Sequence, residues 1–136
     1  MQKTRLKPQS ADEAEAMFYG AFKRCDVDMM AALWAEDEVV CIHPGSDPII
    51  GHDAVIRSWQ QIFENALPPK ITLNPIKQIK STELAISMVL EEIETGTGDS
   101  AAVFATNIYQ KFENGWRMVE HHGSVTRTLP QKRTLQ

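Results

Sequence analysis

Residues Ala101 to Arg127, AAVFATNIYQKFENGWRMVEHHGSVTR, decide how this chain folds. Two runs rich in β-branched and aromatic residues, about Ala101 to Phe112 and Trp116 to Arg127, flank Asn114-Gly115, the strongest short-range hairpin signal. With Asn114-Gly115 as a two-residue turn, Glu113 pairs with Trp116. The register then sets Asn107 opposite His122, Tyr109 opposite Glu120 and Ala105 opposite Ser124. Upstream, about Leu84 to Glu94 reads as another strand, joined through Gly96-Thr97-Gly98-Asp99. Pairing Glu94 with Ala102 puts Glu91 beside Ala105 and Val89 beside Asn107. One face of the three strands then carries Ser87, Val89, Glu91, Ala105, Asn107, Tyr109, Glu120, His122 and Ser124, small and polar. The other carries Leu84, Ile86, Met88, Leu90, Phe104, Ile108, Val119 and Val125.

Working outward, Lys70 to Ile79 is a further strand, and Pro75 within it predicts an edge position or a bulge because proline cannot donate to the ladder. The first half of the chain reads differently. Ser10-Ala11-Asp12-Glu13 is a capping box opening a helix to about Arg24, with Ala14, Met17, Phe18, Ala21 and Phe22 as its apolar stripe. Asp26 caps a second, shorter helix bearing Val27, Met30, Leu33 and Trp34. Val39 to His43 is a strand stopped by the turn-rich Pro44-Gly45-Ser46-Asp47-Pro48. Gly51 then opens a third helix with Val55, Ile56, Trp59, Ile62 and Phe63 on one side, ended by Pro68-Pro69. The order α-α-β-α-β-β-β-β is an α+β domain, with three helices collected on one side of a curved, mainly antiparallel sheet.

At 136 residues the chain is one domain, expected over residues 10–127 between basic tails at 1–9 and 128–136. Lys3, Arg5, Lys7, Arg127, Lys132 and Arg133 hold six of its fourteen basic residues. Residues 11–126 therefore carry eight basic against eighteen acidic side chains. A body that acidic repels phosphate backbones, so no nucleic-acid partner is expected. The longest strictly apolar run, Met29 to Ala35, is far short of the ~20 residues that cross a bilayer, so no membrane partner is expected either. No charged-then-apolar leader follows Met1, and Cys25 and Cys41 cannot build a disulfide scaffold, so a reducing, cytoplasmic compartment is expected.

A sheet with helices on one side has one dry face, and the pattern leaves two arrangements open. Either the apolar face packs on the helices and Glu91, Asn107 and His122 face solvent, or the polar face lines a pocket under the helices. In the second case the apolar face needs a cover, which a second copy supplies.

Gly115-Trp116-Arg117-Met118-Val119-Glu120-His121-His122-Gly123-Ser124 resembles the last strand of SnoaL-like members of the nuclear-transport-factor-two-like superfamily, where a Trp begins the strand and a His-x-Ser closes it. It is also similar to the association domain of calcium/calmodulin-dependent kinase. Leu73-Asn74-Pro75, His43-Pro44 and the helix from Gly51 to Ser58-Trp59 extend the resemblance over about residues 10–127. The resemblance implies a cone of curved sheet and three helices, commonly a homodimer through the sheet, and it favours the polar face as the pocket. The arginines that line the association domain's pocket fall at Asn107 and Glu91, so an arginine-lined anion site does not carry over. Nor does the Tyr and Asp arrangement of a ketosteroid isomerase.

Within such a pocket an imidazole and a carboxylate suit proton transfer, since burial raises a carboxyl pKa and histidine titrates near neutrality. His122 and Glu91 are the expected catalytic pair. Asn107 and Tyr109 are the expected donors to a carbonyl oxygen, and Trp34, His43, Trp59 and Ser124 are further binding residues. The chemistry expected is cofactor-independent isomerisation, cyclisation or dehydration of a small, partly apolar carbonyl compound. A structural role for His122, tied to Asn107 and Ser124, competes with this, as does an exposed Glu91. Cys41, His43 and His121 or His122 lack the spacing of a metal motif, so no metal is expected. His121 is expected on the face opposite His122, and His52 as a surface or capping residue. A noncatalytic ligand-binding module and an assembly domain working through the apolar face are the rival functions.

Overall fold

Ser10 starts the first helix as its capping box requires. Its Oγ accepts from the Glu13 N–H at 3.1 Å, and Glu13 Oε1 accepts from the Gln9 N–H at 2.8 Å. The structure, a computed structural model, describes residues 7–126, so Lys3, Arg5, Arg127, Lys132 and Arg133 of the basic ends lie outside the described residues. Helix α1 (Ala11–Arg24) ends where Cys25 turns left-handed (φ 53°). Asp26 accepts from the Met29 N–H and opens α2 (Val27–Leu33). Then come β1 (Val40–Ile42), β2 (Ile49–Ile50), α3 (His52–Glu64), β3 (Lys70–Lys80), β4 (Leu84–Glu94), β5 (Ser100–Phe112) and β6 (Gly115–Val125). The short strand β2 falls at the end of the turn-rich stretch and is too brief to show in the residue pattern.

The six strands form one mixed, open sheet in the order β2-β1-β6-β5-β4-β3. β1 runs parallel to β6 and every other pair is antiparallel. The three helices lie on one side, giving the α+β arrangement that the element order implied and the open cone that the resemblance implied. Pro75 does what its missing N–H requires in both respects: β3 is the edge strand, and its register shifts between Pro75 and Lys77.

The hairpin register differs from expectation. Phe112 pairs with Gly115, so Glu113 and Asn114 form the turn and Gly115, at φ 109°, takes the positive-φ position after it. This moves the pairing by two residues and leaves the faces unchanged. A bulge then intervenes: Tyr109 pairs with Met118 but Ile108 with Glu120, one extra residue on β6. Beyond it every side chain exchanges faces. Asn107 therefore stands opposite His121 rather than His122, and Ala105 opposite Gly123 rather than Ser124. Gly123 favours this register, since it brings a residue without a side chain to an inward position where an added Cβ would meet Pro44 Cγ and Val103 Cγ1, each at 3.1 Å, and the neighbours would have to give by a few tenths of an ångström. On the other side of β5 the pairing of Glu94 with Ser100 is again a two-residue shift, so Ser87 faces Asn107 and Glu91 faces Val103 with their faces kept.

Burial settles which sheet face the helices cover. Ser87, Glu91 and Asn107 are 4%, 2% and 0% exposed, packed beneath α1, whereas Leu84, Met88 and Phe104 on the far face are 42%, 38% and 46% exposed. Val125, expected on that face, pairs with buried Val103 and is turned to the inner side by the bulge. The polar face is inside.

Candidate functional site

Helix α1 presents Glu15 and, one turn later, Tyr19 to the inner sheet face. Glu15 Oε1 accepts from Ser87 Oγ at 3.0 Å, and Glu15 Oε2 accepts from Asn107 Nδ2 at 3.1 Å and Tyr109 Oη at 3.0 Å. Tyr19 Oη accepts from Asn107 Nδ2 at 2.9 Å and donates to Glu91 Oε2 at 2.6 Å. Asn107 Oδ1 lies 2.6 Å from His121 Nδ1. Side chains from α1, β4, β5 and β6 thus form one buried hydrogen-bonded file running from Glu91 to His121.

Burial dominates its electrostatics. Desolvation pushes Glu91 up from 4.5 to about 7, against the Tyr19 hydrogen bond, which favours the carboxylate, and with the Glu15 charge, which opposes it. His121 is lowered from 6.5 to about 3, first by burial and then by His43 and His122. The Tyr19 and Tyr109 hydroxyls are pushed well above their ordinary value, again first by burial. Glu91 is therefore the member of the file that changes charge near neutral pH.

Around the file stands an aromatic wall. Phe18 packs 5.0 Å from the His121 ring, and Trp59 lies 5.8 Å from His121 and 4.9 Å from Phe22. Glu91 pairs across the sheet with half-buried Leu73, Tyr19 stacks on half-buried Phe22, and half-buried Phe63 meets Trp59. Half-buried Leu73 and Phe22 thus stand next to the Glu91 end of the file, which is itself buried. His43, half-buried after β1, bonds Ser58 Oγ at 2.9 Å and meets Trp59 edge-on at 4.9 Å, so it joins the same wall.

The SnoaL-like domain profile matches residues 12–128, nearly the whole chain. The chain belongs to the SnoaL-like domain family. Among solved structures it is similar to a protein of Thiobacillus denitrificans described as a calcium/calmodulin-dependent protein kinase type II association domain. The two are 34% identical at a TM-score of 0.84, over 90% of this chain and 99% of that one. It is also similar to an NTF2-like family protein of Streptomyces avermitilis described as a dehydratase, 27% identical at a TM-score of 0.78 over 85% and 92% of the two chains. A ketosteroid isomerase-like protein of Erwinia carotovora atroseptica, 17% identical at a TM-score of 0.69 over 86% and 94%, shares the fold. F-box protein SKIP8 of Arabidopsis thaliana is 29% identical over 110 residues, 79% of this chain. The SnoaL-like chain spans only 46% of that relative's length.

Of the expected site residues, Glu91, Asn107 and Tyr109 belong to the file, and Trp59 and His43 to its wall. His122 and Ser124 do not: both point to the exposed outer face, because the β6 bulge turns His121 inward in their place. Trp34 follows α2 in extended conformation and bridges Met118. It is fully buried and absent from the ring contacts around His121. Among the described residues its Nε1 and that of Trp59 have no hydrogen-bond partner. His52 ties α3 to α2 through the Ala31 carbonyl at 2.8 Å. Glu15, Tyr19 and His121 were missed. The signal for Glu15 was its spacing, four residues after Ala11 and three before Phe18, inside the apolar arc of α1. Cys41 is buried and its thiol pushed up to about 12 by burial, which the neighbouring Trp59 indole offsets only in part. Among the described residues no three His, Cys, Asp or Glu side chains are grouped to hold a metal ion. No helix among them is long and apolar enough to cross a membrane.

Proposed function

We propose that the chain binds a small, partly apolar carbonyl compound between the helices and the inner sheet face, and moves a proton on it without a cofactor. Glu91 is the acid-base group. One observation carries this reading: a 2% exposed carboxyl, raised to about 7, with Oε2 on Tyr19 and Oε1 making no hydrogen bond among the described residues, next to half-buried Leu73. A group titrating near working pH exchanges protons most effectively, and the aromatic wall supplies the apolar enclosure that a small ligand requires. The His122–Glu91 pairing is replaced by Glu91 alone, since His122 faces outward. The dehydratase description of the Streptomyces avermitilis relative supports the class of reaction.

The test is exchange of α-protons with heavy water in a panel of small cyclic ketones, followed by NMR. The expected result is exchange above the buffer rate that Glu91→Gln reduces by about 10²-fold or more, the usual weight of a positioned acid-base group. Equal rates for the two proteins contradict the assignment.

The outer face supports a second element of the reading, a homodimer through the sheet. Leu84, Met88 and Phe104 form an exposed apolar surface of the kind that a second copy covers, and the association-domain description of the Thiobacillus denitrificans relative agrees with it. Light scattering after size exclusion checks this: a monomer in every concentration range rules it out. The two unpaired cysteines fit a reducing, cytoplasmic setting.

A further inference from the structure

Asn107 can present its amide only one way round. Its Nδ2 faces Glu15 Oε2, which already accepts the Tyr109 hydroxyl, and Tyr19 Oη, whose own proton is committed to Glu91 Oε2. Both atoms demand a donor, so the NH2 group stands there and the carbonyl Oδ1 faces His121. An acceptor 2.6 Å from Nδ1 places the imidazole proton on Nδ1. Burial keeps the ring from taking a second proton near neutrality, as its pKa is lowered to about 3. Nε2 is therefore a bare lone pair, and it makes no hydrogen bond among the described residues.

The His121 residue is 2% exposed and its Nε2 has no donor among the described residues, whereas buried polar groups are ordinarily paired. The ring lies against Phe18 and Trp59. Trp59 leads in turn to half-buried His43 and, through its hydrogen bond, to half-buried Ser58. We propose that His121 Nε2 accepts a hydrogen bond from a hydroxyl or N–H group of the ligand, with Asn107 as the positioning residue that holds the lone pair there. This rests on the pocket reading above and narrows it: the compound carries a donor as well as a carbonyl. The two ends of the file then have separate tasks. Glu91 moves the proton, and His121, which takes none at neutral pH, orients the ligand and selects it against analogues lacking the donor.

The experiment uses the full chain carrying isotopically labelled histidine, with imidazole nitrogen NMR recorded free and with two matched probes, cyclohexanol and its methyl ether. The carboxyl carbon of Glu91 is followed in parallel. Assignment comes from His121→Gln or, should that variant not fold, by elimination through His43→Gln, His52→Gln and His122→Gln. The expected result is an Nδ1-protonated His121 whose Nε2 resonance moves saturably with the alcohol and stays in place with the ether. Asn107→Leu is expected to release the ring into a mixture of tautomers. An Nε2-protonated ring in the native protein, or equal response to both probes, overturns the proposal, and an unchanged tautomer in Asn107→Leu overturns the positioning role. A probe that shifts Glu91 but leaves His121 Nε2 untouched overturns this inference and spares the pocket reading. Probes that shift neither residue overturn both.

Discussion

The two faces of the sheet reverse the usual arrangement. Toward the helices it presents Ser87, Glu91, Asn107, Tyr109 and His121, all buried. Away from them it presents Leu84, Met88 and Phe104, all exposed. Burying polar side chains costs stability unless each finds a partner, and here α1 supplies Glu15 and Tyr19 to satisfy them. The outer face has no such support within the chain. The inner face is therefore specific and fragile, whereas the outer face is tolerant as a monomer and sensitive only through association.

The largest effect should come from opening the inner network. Asn107→Leu leaves His121 Nδ1 without a partner and takes one hydrogen bond each from Glu15 Oε2 and Tyr19 Oη, which keep Tyr109 and Glu91. At about 1–3 kcal/mol for the unsatisfied group and about 1 kcal/mol for each lost bond, a loss of ~3–5 kcal/mol is expected in chemical denaturation. A loss below ~1 kcal/mol, the level of an ordinary surface change, would show that the file is not closed as described.

Next comes pH. Glu91 binds its proton more tightly in the folded state than in the unfolded one. The stability this gives is full below about 4.5 and is lost as pH rises through about 7. Glu91→Gln removes that loss, so above pH ~8 it should exceed the native protein by roughly 3–4 kcal/mol, since each tenfold change in proton affinity is worth about 1.4 kcal/mol, and match it near pH ~4. His121 works in the opposite sense: lowered from 6.5 to about 3, its contribution is full above 6.5 and lost as pH falls toward 3. Thermal denaturation across the pH range checks both.

A smaller effect separates neighbours on β6. Gly123→Val, pointing at Pro44 and Val103, should cost ~1–3 kcal/mol by overpacking, whereas Ser124→Val on the outer face should change stability by no more than ~0.5 kcal/mol. Equal costs would contradict the bulge. Smallest for the fold, Phe104→Ser should leave monomer stability within ~0.5 kcal/mol while shifting the association equilibrium measured by sedimentation.

The bulge also marks where the sequence stops being legible. Ser10, Asp26 and Pro75 act through bonds to residues nearby, so their helix starts, edge and irregularity could be read directly. Glu91, Asn107 and Tyr109 were placed on the correct face because a two-residue error in register preserves it. His121 and His122 exchanged places because their positions depend on one extra residue in β6, accommodated at Gly123 by Pro44 from a loop nearly eighty residues earlier. No local pattern announces that contact. Glu15 escaped because a charged side chain on a helix reads as solvent-facing until its partners across the sheet are known.

The central claim is that the inner face holds a carboxyl poised near neutrality, and the carboxyl-carbon NMR titration of Glu91 tests it most directly. A midpoint near 7, absent from the spectrum of Glu91→Gln, is the expected result. A midpoint at the ordinary 4.5 would mean that Glu91 is solvated, and the acid-base reading of the cone would fail.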